Sequence, residues 1–179
     1  DCFKSLKHVE GLYISNNSNL KNLDAFDFLV SAFPISIINN PSLNAIEGFN
    51  KLENASIEIK NNNSLQVINA FNNLKYLFWL SLFENKELTN VSSFDSVISI
   101  GSIQIENNSK IKRIFAFENV LQACCPSDRI NLSITNNSNL NHITCFNKIL
   151  KINDGINISN NSTLDSIHFL ENVRFIGGR

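Results

Sequence analysis

The heptapeptide ISNNSNL, residues 14–20, returns almost unchanged as ITNNSNL at residues 134–140 and as ISNNSTL at residues 158–164. Comparison of the chain with itself extends this repeat to seven units, each marked by one asparagine. These asparagines follow one another at intervals of 23, 22, 23, 23, 29 and 24 residues: Asn17, Asn40, Asn62, Asn85, Asn108, Asn137 and Asn161. Such a period predicts a repeat architecture.

Apolar residues keep fixed distances from each marker asparagine. An aliphatic residue stands three positions before it, three after it and six after it. An aromatic residue stands nine positions after it in all units but the last: Phe26, Phe49, Phe71, Phe94, Phe117 and Phe146, with Leu170 closing the series and Phe3 preceding it. Residues at equivalent positions in successive units therefore form columns.

Each unit is interpreted as one coil of a solenoid. Segments such as Leu12-Tyr13-Ile14 and Ile103-Gln104-Ile105 alternate with the period of a β-strand, and the units are too short for crossover helices. The spacing after the asparagine fits short extended segments or a turn of 3₁₀ helix. The sequence thus predicts an all-β parallel β-helix of about seven coils of about 23 residues, stacked about 4.8 Å apart in one domain over residues 1–179.

The asparagine pair marks the corner at the end of each strand, because asparagine tolerates left-handed backbone conformations. If the second asparagine points inward, its amide can bond the backbone of neighbouring coils. We therefore expect the seven marker asparagines to form an inward ladder. The first position of the pair accepts Glu84, as an outward residue would.

Composition narrows the class of partner. The net charge is −1 and no basic cluster occurs, which argues against nucleic acid as a partner. No apolar run is long enough to insert in a membrane.

The chain opens at Asp1-Cys2 as if within a coil and stops at FIGGR, residues 175–179, where the next strand is due. Without a polar capping coil at either end, we expect an open-ended part of a longer chain or assembly.

The repeat Leu-x-Ile-x-Asn-Asn-x-x-Leu-x-x-Ile-x-x-Phe resembles the receptor L-domain over almost the whole chain. That domain is the leucine-rich-repeat-related, right-handed β-helix of the ligand-binding parts of insulin- and epidermal-growth-factor-type receptors. Fungal cell-wall proteins with glycolipid anchors carry similar repeats. The resemblance implies a right-handed β-helix at a cell surface that binds a ligand without catalysis.

The four cysteines predict one disulfide rather than a metal site. Cys124 and Cys125 lie in an insertion, residues 121–129, which lengthens the sixth coil, and Cys145 follows one coil onward. Cys145 is expected to bond Cys124 or Cys125. Cys2 shares the column of Cys145 but lies six coils away, roughly 29 Å at this spacing. It is therefore bonded to another molecule, or free, or the predicted ladder is wrong near the N-terminus.

Asn-x-Ser/Thr triplets point to secretion and glycosylation. The predicted sites are Asn16, Asn54, Asn90, Asn107, Asn131, Asn136, Asn157 and Asn160. Asn62 and Asn161 also begin such triplets but belong to the inward column, so they should stay unmodified. The alternative is that the triplets only copy the repeated corner.

No constellation of residues predicts catalysis, a metal site or a cofactor. Glu58, Lys60 and Glu106 are the only charges in the two outward strand columns, and no carboxylates meet on adjacent coils. The three histidines fall in different columns. The chain is therefore predicted to be non-enzymatic.

The candidate binding site is marked by a cluster of aromatic residues in the fourth coil: Tyr76, Phe78, Trp79 and Phe83. Trp79 and Phe83 fall in outward columns on either side of Ser81, Ile38 shares a column with Phe83, and Tyr13 shares one with Ser81. Exposed aromatic residues on a sheet are typical anchors for protein or sugar ligands. A covering loop or segment is the alternative explanation.

Two functions follow from these expectations. The first is an extracellular recognition module that binds a protein or glycan on its parallel sheet. The second is a secreted scaffold or filament subunit, in which further copies of the chain stack head to tail through uncapped ends.

Overall fold

The computed structural model describes residues 3, 5–123 and 130–177, and this part of the chain forms strands and turns without any helix. The strands are β1 (His8–Val9), β2 (Leu12–Ser15), β3 (Asn22–Leu23), β4 (Ser31–Ile38), β5 (Ala45–Ile46), β6 (Asn54–Lys60), β7 (Val67–Ile68), β8 (Tyr76–Phe83), β9 (Asn90–Val91), β10 (Ser99–Glu106), β11 (Arg113–Phe115), β12 (Gln122–Ala123), β13 (Asn131–Thr135), β14 (His142–Cys145), β15 (Lys151–Ile152), β16 (Ile156–Ser159), β17 (Ser166–Phe169) and β18 (Phe175–Ile176). None of the described segments is a helix of the length and hydrophobicity that a membrane crossing needs.

The strands pair in parallel with strands of the neighbouring coils. Nine of them form what we call the broad sheet, in the order β1-β4-β6-β8-β10-β13-β16, with β2 also on β4 and β12 also on β10. Ser81, for example, pairs with Glu58 of the preceding coil and with Gln104 of the following one. The predicted all-β solenoid of about seven coils of about 23 residues is confirmed.

Shorter strands form a second side of the solenoid. One sheet has the order β3-β5-β7, and another, which we call the side sheet, has the order β17-β14-β11-β9; β15 and β18 pair separately. Of the two conformations predicted for this part of the repeat, short extended segments form. The aliphatic columns of the central coils point between the sheets and are fully buried, as for Ile37, Leu65 and Ile105.

The marker asparagines form the predicted ladder. Asn62 Nδ2 donates to the carbonyl oxygens of Ile37, at 2.9 Å, and Lys60, at 3.1 Å, while its Oδ1 accepts the backbone N–H of Asn40 at 3.0 Å. The same bonds repeat from coil to coil, and five ladder members are completely buried: Asn40, Asn62, Asn85, Asn108 and Asn137. The ladder therefore satisfies backbone groups that the corner removes from strand pairing.

Each coil turns at two left-handed residues, of which the sequence predicted one. The first is the outward residue of the asparagine pair, with φ between 54° and 59°, and in the fourth coil it is Glu84. The second is the residue that closes the unit, Phe94 for example with φ 79°. The phenylalanine column thus forms a corner as well as part of the core.

The phenylalanine rings stack along the solenoid. Neighbouring ring centroids are 5.0–5.5 Å apart and neighbouring planes differ by 3–24°. The stack runs through Phe3, Phe26, Phe49, Phe71, Phe94, Phe117 and Phe146. Because one ring sits directly above the next, this column holds successive coils in register.

Candidate functional site

Two columns of side chains cover the outer face of the broad sheet. One is Tyr13, Ser36, Glu58, Ser81, Gln104, Ser133 and Asn157; the other is Ser15, Ile38, Lys60, Phe83, Glu106, Thr135 and Ser159. Ser81 and Phe83 therefore lie on β8, with Ile38 two strands away and Tyr13 three strands away. Tyr13 is 69% exposed, whereas Ile38 and Phe83 are half-buried.

A register shift adds residues to this face in the middle of the sheet. In β6, the single residue Ser56 lies opposite two residues of each neighbouring strand. These are Phe33–Pro34 in β4 and Phe78–Trp79 in β8. The leucines that flank the pair in β8 are both buried. Phe78 and Trp79 consequently both lie on the outer face, as residues of a β-bulge do.

Phe33 and Phe78 meet across the strand that lacks the extra residue. Their ring centroids are 5.2 Å apart with planes at 73°, an edge-to-face contact. Ser56, on the strand between them, is buried. Tyr76 lies on the same strand as Phe78, and it and Phe33 each expose 42% of their surface.

We call Phe33, Tyr76, Phe78 and Trp79 the aromatic surface. Trp79 was predicted from sequence as a binding residue. Tyr76 and Phe78 were placed in the same aromatic cluster but not among the binding residues, and Phe33 was not identified. A signal for them exists in the repeat, because the interval between Asn40 and Asn62 is 22 residues rather than 23. That shorter coil is the one in which β6 lacks a residue, which leaves room for the rings of β4 and β8 to meet.

Polar contacts between coils fix the side chains beside the aromatic surface. Ser36 Oγ donates to Glu58 Oε2 at 2.8 Å, and Ser133 Oγ donates to Glu106 Oε1 at 2.7 Å. The Lys60 ammonium lies 4.9 Å from the centroid of the Phe83 ring. This face therefore combines apolar rings with hydrogen-bonding groups and few charges.

The two carboxylates of the outward columns do not form a pair. Glu58 belongs to β6 and Glu106 to β10, and β8 lies between these strands. In residues 5–123 and 130–177, no three or more His, Cys, Asp or Glu side chains form a group that could hold a metal ion.

The asparagines predicted to carry glycans all reach solvent. Asn16, Asn90, Asn131, Asn136, Asn157 and Asn160 are exposed, and Asn54 and Asn107 are half-buried. Asn62 is completely buried and Asn161 is half-buried. Glycan attachment itself stays a prediction.

Cys145 lies in a column of small residues just before the phenylalanine corner. The preceding members, Ala70, Ser93 and Ala116, are also buried, and Cys145 is a completely buried free thiol. Burial, with a smaller effect of the Glu118 carboxylate, raises the pKa of this thiol. Because the Cys145 thiol is free, the predicted bond from Cys145 to Cys124 or Cys125 is not formed in this structure. Cys2, Cys124 and Cys125 lie outside the described residues, so the pairing predicted for Cys2 stays a prediction.

Comparison with known proteins gives no match, because no family model, no curated protein and no solved structure corresponds to this chain.

Proposed function

We propose that this protein is an extracellular, non-enzymatic recognition module that binds a protein or a glycan on the outer face of its broad sheet. The observation that carries the proposal is the aromatic surface, in which rings from two coils meet and remain partly exposed. Partly exposed aromatic rings provide a large contact area at a small cost in side-chain entropy. They are consequently frequent anchors of binding sites.

The rigidity of the scaffold favours this function. β4 and β8 are each paired on both sides in the broad sheet, and the asparagine ladder closes the end of both strands. A surface that is already ordered before binding loses little conformational entropy when a ligand arrives. The neighbouring Glu58 carboxylate and Ser81 hydroxyl, both half-buried, offer hydrogen bonds for orientation of a ligand.

Two further features support an extracellular location. The repeat resembles the receptor L-domain, and all eight asparagines predicted to carry glycans are accessible. A glycan on Asn62 would be incompatible with the ladder, because its Nδ2 already donates two hydrogen bonds. Mass spectrometry of the native protein should therefore find Asn62 unmodified and glycans on members of the accessible set.

The binding surface can be tested through its own fluorophore, since Trp79 is the only tryptophan of the chain. Panels of neutral and acidic oligosaccharides are titrated while the tryptophan emission is followed, and hits are repeated by calorimetry. Candidate protein ligands from extracellular fluid are captured on the immobilised chain. We expect a ligand whose affinity falls by roughly tenfold or more in the Phe33→Ala and Phe78→Ala variants, as for hot-spot residues.

Phe28→Ala is the matched control, because Phe28 has the same 42% exposure as Phe33 but lies outside the broad sheet. This variant should bind as the wild type does. If all variants bound the ligand equally and their thermal unfolding were unchanged, the aromatic surface would be rejected as the binding site. Filaments of the purified chain in electron micrographs, without any ligand, would instead favour the scaffold function.

A further inference from the structure

The side sheet brings two of the three histidines together, although they occupy different columns. His142 lies on β14, and the Cα partner of His168 on β17 is Thr144, two residues further along β14. The imidazole centroids of His142 and His168 are 5.4 Å apart. This pair lies on a different sheet from the aromatic surface.

A hydrogen-bond chain fixes the ring of His142 and its tautomer. The Ser166 hydroxyl donates its only hydrogen to Asp165 Oδ1, at 2.9 Å, so its oxygen must accept from His142 Nδ1, which is 2.6 Å away. Nδ1 therefore carries the proton. In the neutral ring, the lone pair of His142 Nε2 then faces Thr144 Oγ1, at 2.8 Å.

This arrangement is similar to the one around metal-bound histidines. A ligating imidazole almost always donates its other N–H to a carboxylate, a backbone carbonyl or water, which orients the ring and makes the free nitrogen a better donor. Here the Nδ1 proton of His142 leads through Ser166 to Asp165. The free Nε2 points toward Thr144, and the Cα partner of Thr144 on the neighbouring strand is His168.

The distance between the two rings fits one shared ion. Two imidazoles that bind one ion in tetrahedral geometry, at nitrogen–metal distances of about 2.0–2.1 Å, have centroids roughly 5 Å apart. The side chain of His168 is exposed, and no hydrogen bond to another described residue holds it. It can therefore turn its lone pair toward His142 at little cost.

We propose that His142 Nε2 and His168 bind one divalent transition-metal ion of the kind that prefers imidazole, namely nickel, copper or zinc. The protein supplies two ligands, and water or a donor group of a bound molecule completes the coordination. The Thr144 hydroxyl, displaced from Nε2, can bond a metal-bound water. Arg113, the Cα partner of His142, carries a positive charge that disfavours a bound cation, but its guanidinium lies over the Phe115 ring.

Binding of Ni²⁺ to the purified full chain tests this site. Ni²⁺ is titrated by calorimetry at neutral pH, and its paramagnetic broadening of amide signals is mapped by NMR. We expect one ion per chain, with broadening centred on Thr144 and Ser166. His168→Ala should weaken binding by roughly tenfold or more, without unfolding the chain because this side chain is exposed.

Two further variants separate the site from general histidine affinity. His8→Ala should leave the affinity unchanged, because His8 bonds Ser31 on the broad sheet and lies near no second histidine. Asp165→Asn should weaken binding several-fold through loss of the carboxylate behind Nδ1. Unchanged affinity in His168→Ala, or broadening centred elsewhere in the chain, would overturn the proposal.

Discussion

The outward residues of the asparagine corners form a second row of amides, and one residue interrupts it. Asn39 Nδ2 donates to Asn16 Oδ1 at 3.2 Å, and Asn61 Nδ2 donates to Asn39 Oδ1 at 3.1 Å. The next member is Glu84, whose ionised carboxylate has no hydrogen to donate. Asn61 Oδ1 is accordingly buried without a hydrogen-bond partner.

Replacement of Glu84 should therefore stabilise the protein. Glu84→Asn supplies the missing donor to Asn61 and suits the left-handed φ of 54° better than glutamate does. We expect the free energy of unfolding to rise by about 0.5–1.5 kcal/mol, measured by urea denaturation. Glu84→Gln also supplies an amide donor, but on a longer side chain and with the unfavourable backbone preference, so it should gain less. An equal gain would show that neither the backbone preference of asparagine nor its side-chain length is the cause.

At Gly48 the backbone of one coil comes close to the backbone of the preceding coil. A Cβ atom there would lie only 1.9 Å from the carbonyl oxygen of Ala25. Gly48→Ala should lower the free energy of unfolding by about 1–3 kcal/mol, the usual cost of overpacking. Gly155→Ala is the control, because nothing lies within 4 Å of its added Cβ, and it should be nearly neutral. Similar losses in both variants would contradict a specific clash at Gly48.

At the scale of the element, the phenylalanine column is expected to dominate stability. Phe94 is buried, stacks between Phe71 and Phe117, and turns the corner of its coil. Phe94→Ala should cost about 3–5 kcal/mol in calorimetric or urea unfolding. Phe94→Leu should cost less, since Leu170 fills the same column in the last coil. If the exposed Phe28→Ala lost as much as Phe94→Ala, the stack would not be the cause.

The repeated columns made the strands and the asparagine corner predictable from sequence. The second corner, at the phenylalanine, could not be predicted. Asparagine pairs indicate a left-handed turn because their side chains favour it, so the first corner could be inferred. Phenylalanine disfavours that conformation, at roughly 1–2 kcal/mol, and adopts it in this solenoid because burial and stacking of the ring offset the cost. Propensity alone could not reveal that balance. The contact between Phe33 and Phe78 was missed for a related reason, since it depends on one residue that β6 lacks.

At the scale of the whole molecule, the chain is a one-dimensional array in which each coil contacts its neighbours. Periodicity is sufficient to predict such an array, because every coil solves the same packing problem. Function is less predictable, since it depends on residues that break the repeat. The rings on the broad sheet and the histidine pair on the side sheet are such departures, and their contacts became visible only in three dimensions.

The measurement that tests the account most directly is NMR of the chain with ¹⁵N-labelled asparagine. If the coils are in register, the backbone amide of each ladder asparagine lies against the side chain of the next, as Asn62 N lies 3.2 Å from Asn85 Oδ1. We predict Overhauser contacts linking Asn40, Asn62, Asn85, Asn108 and Asn137 in that order, with side-chain amides that exchange slowly. Side-chain exchange as fast as in the exposed Asn19 and Asn22, without those contacts, would contradict the stacked solenoid.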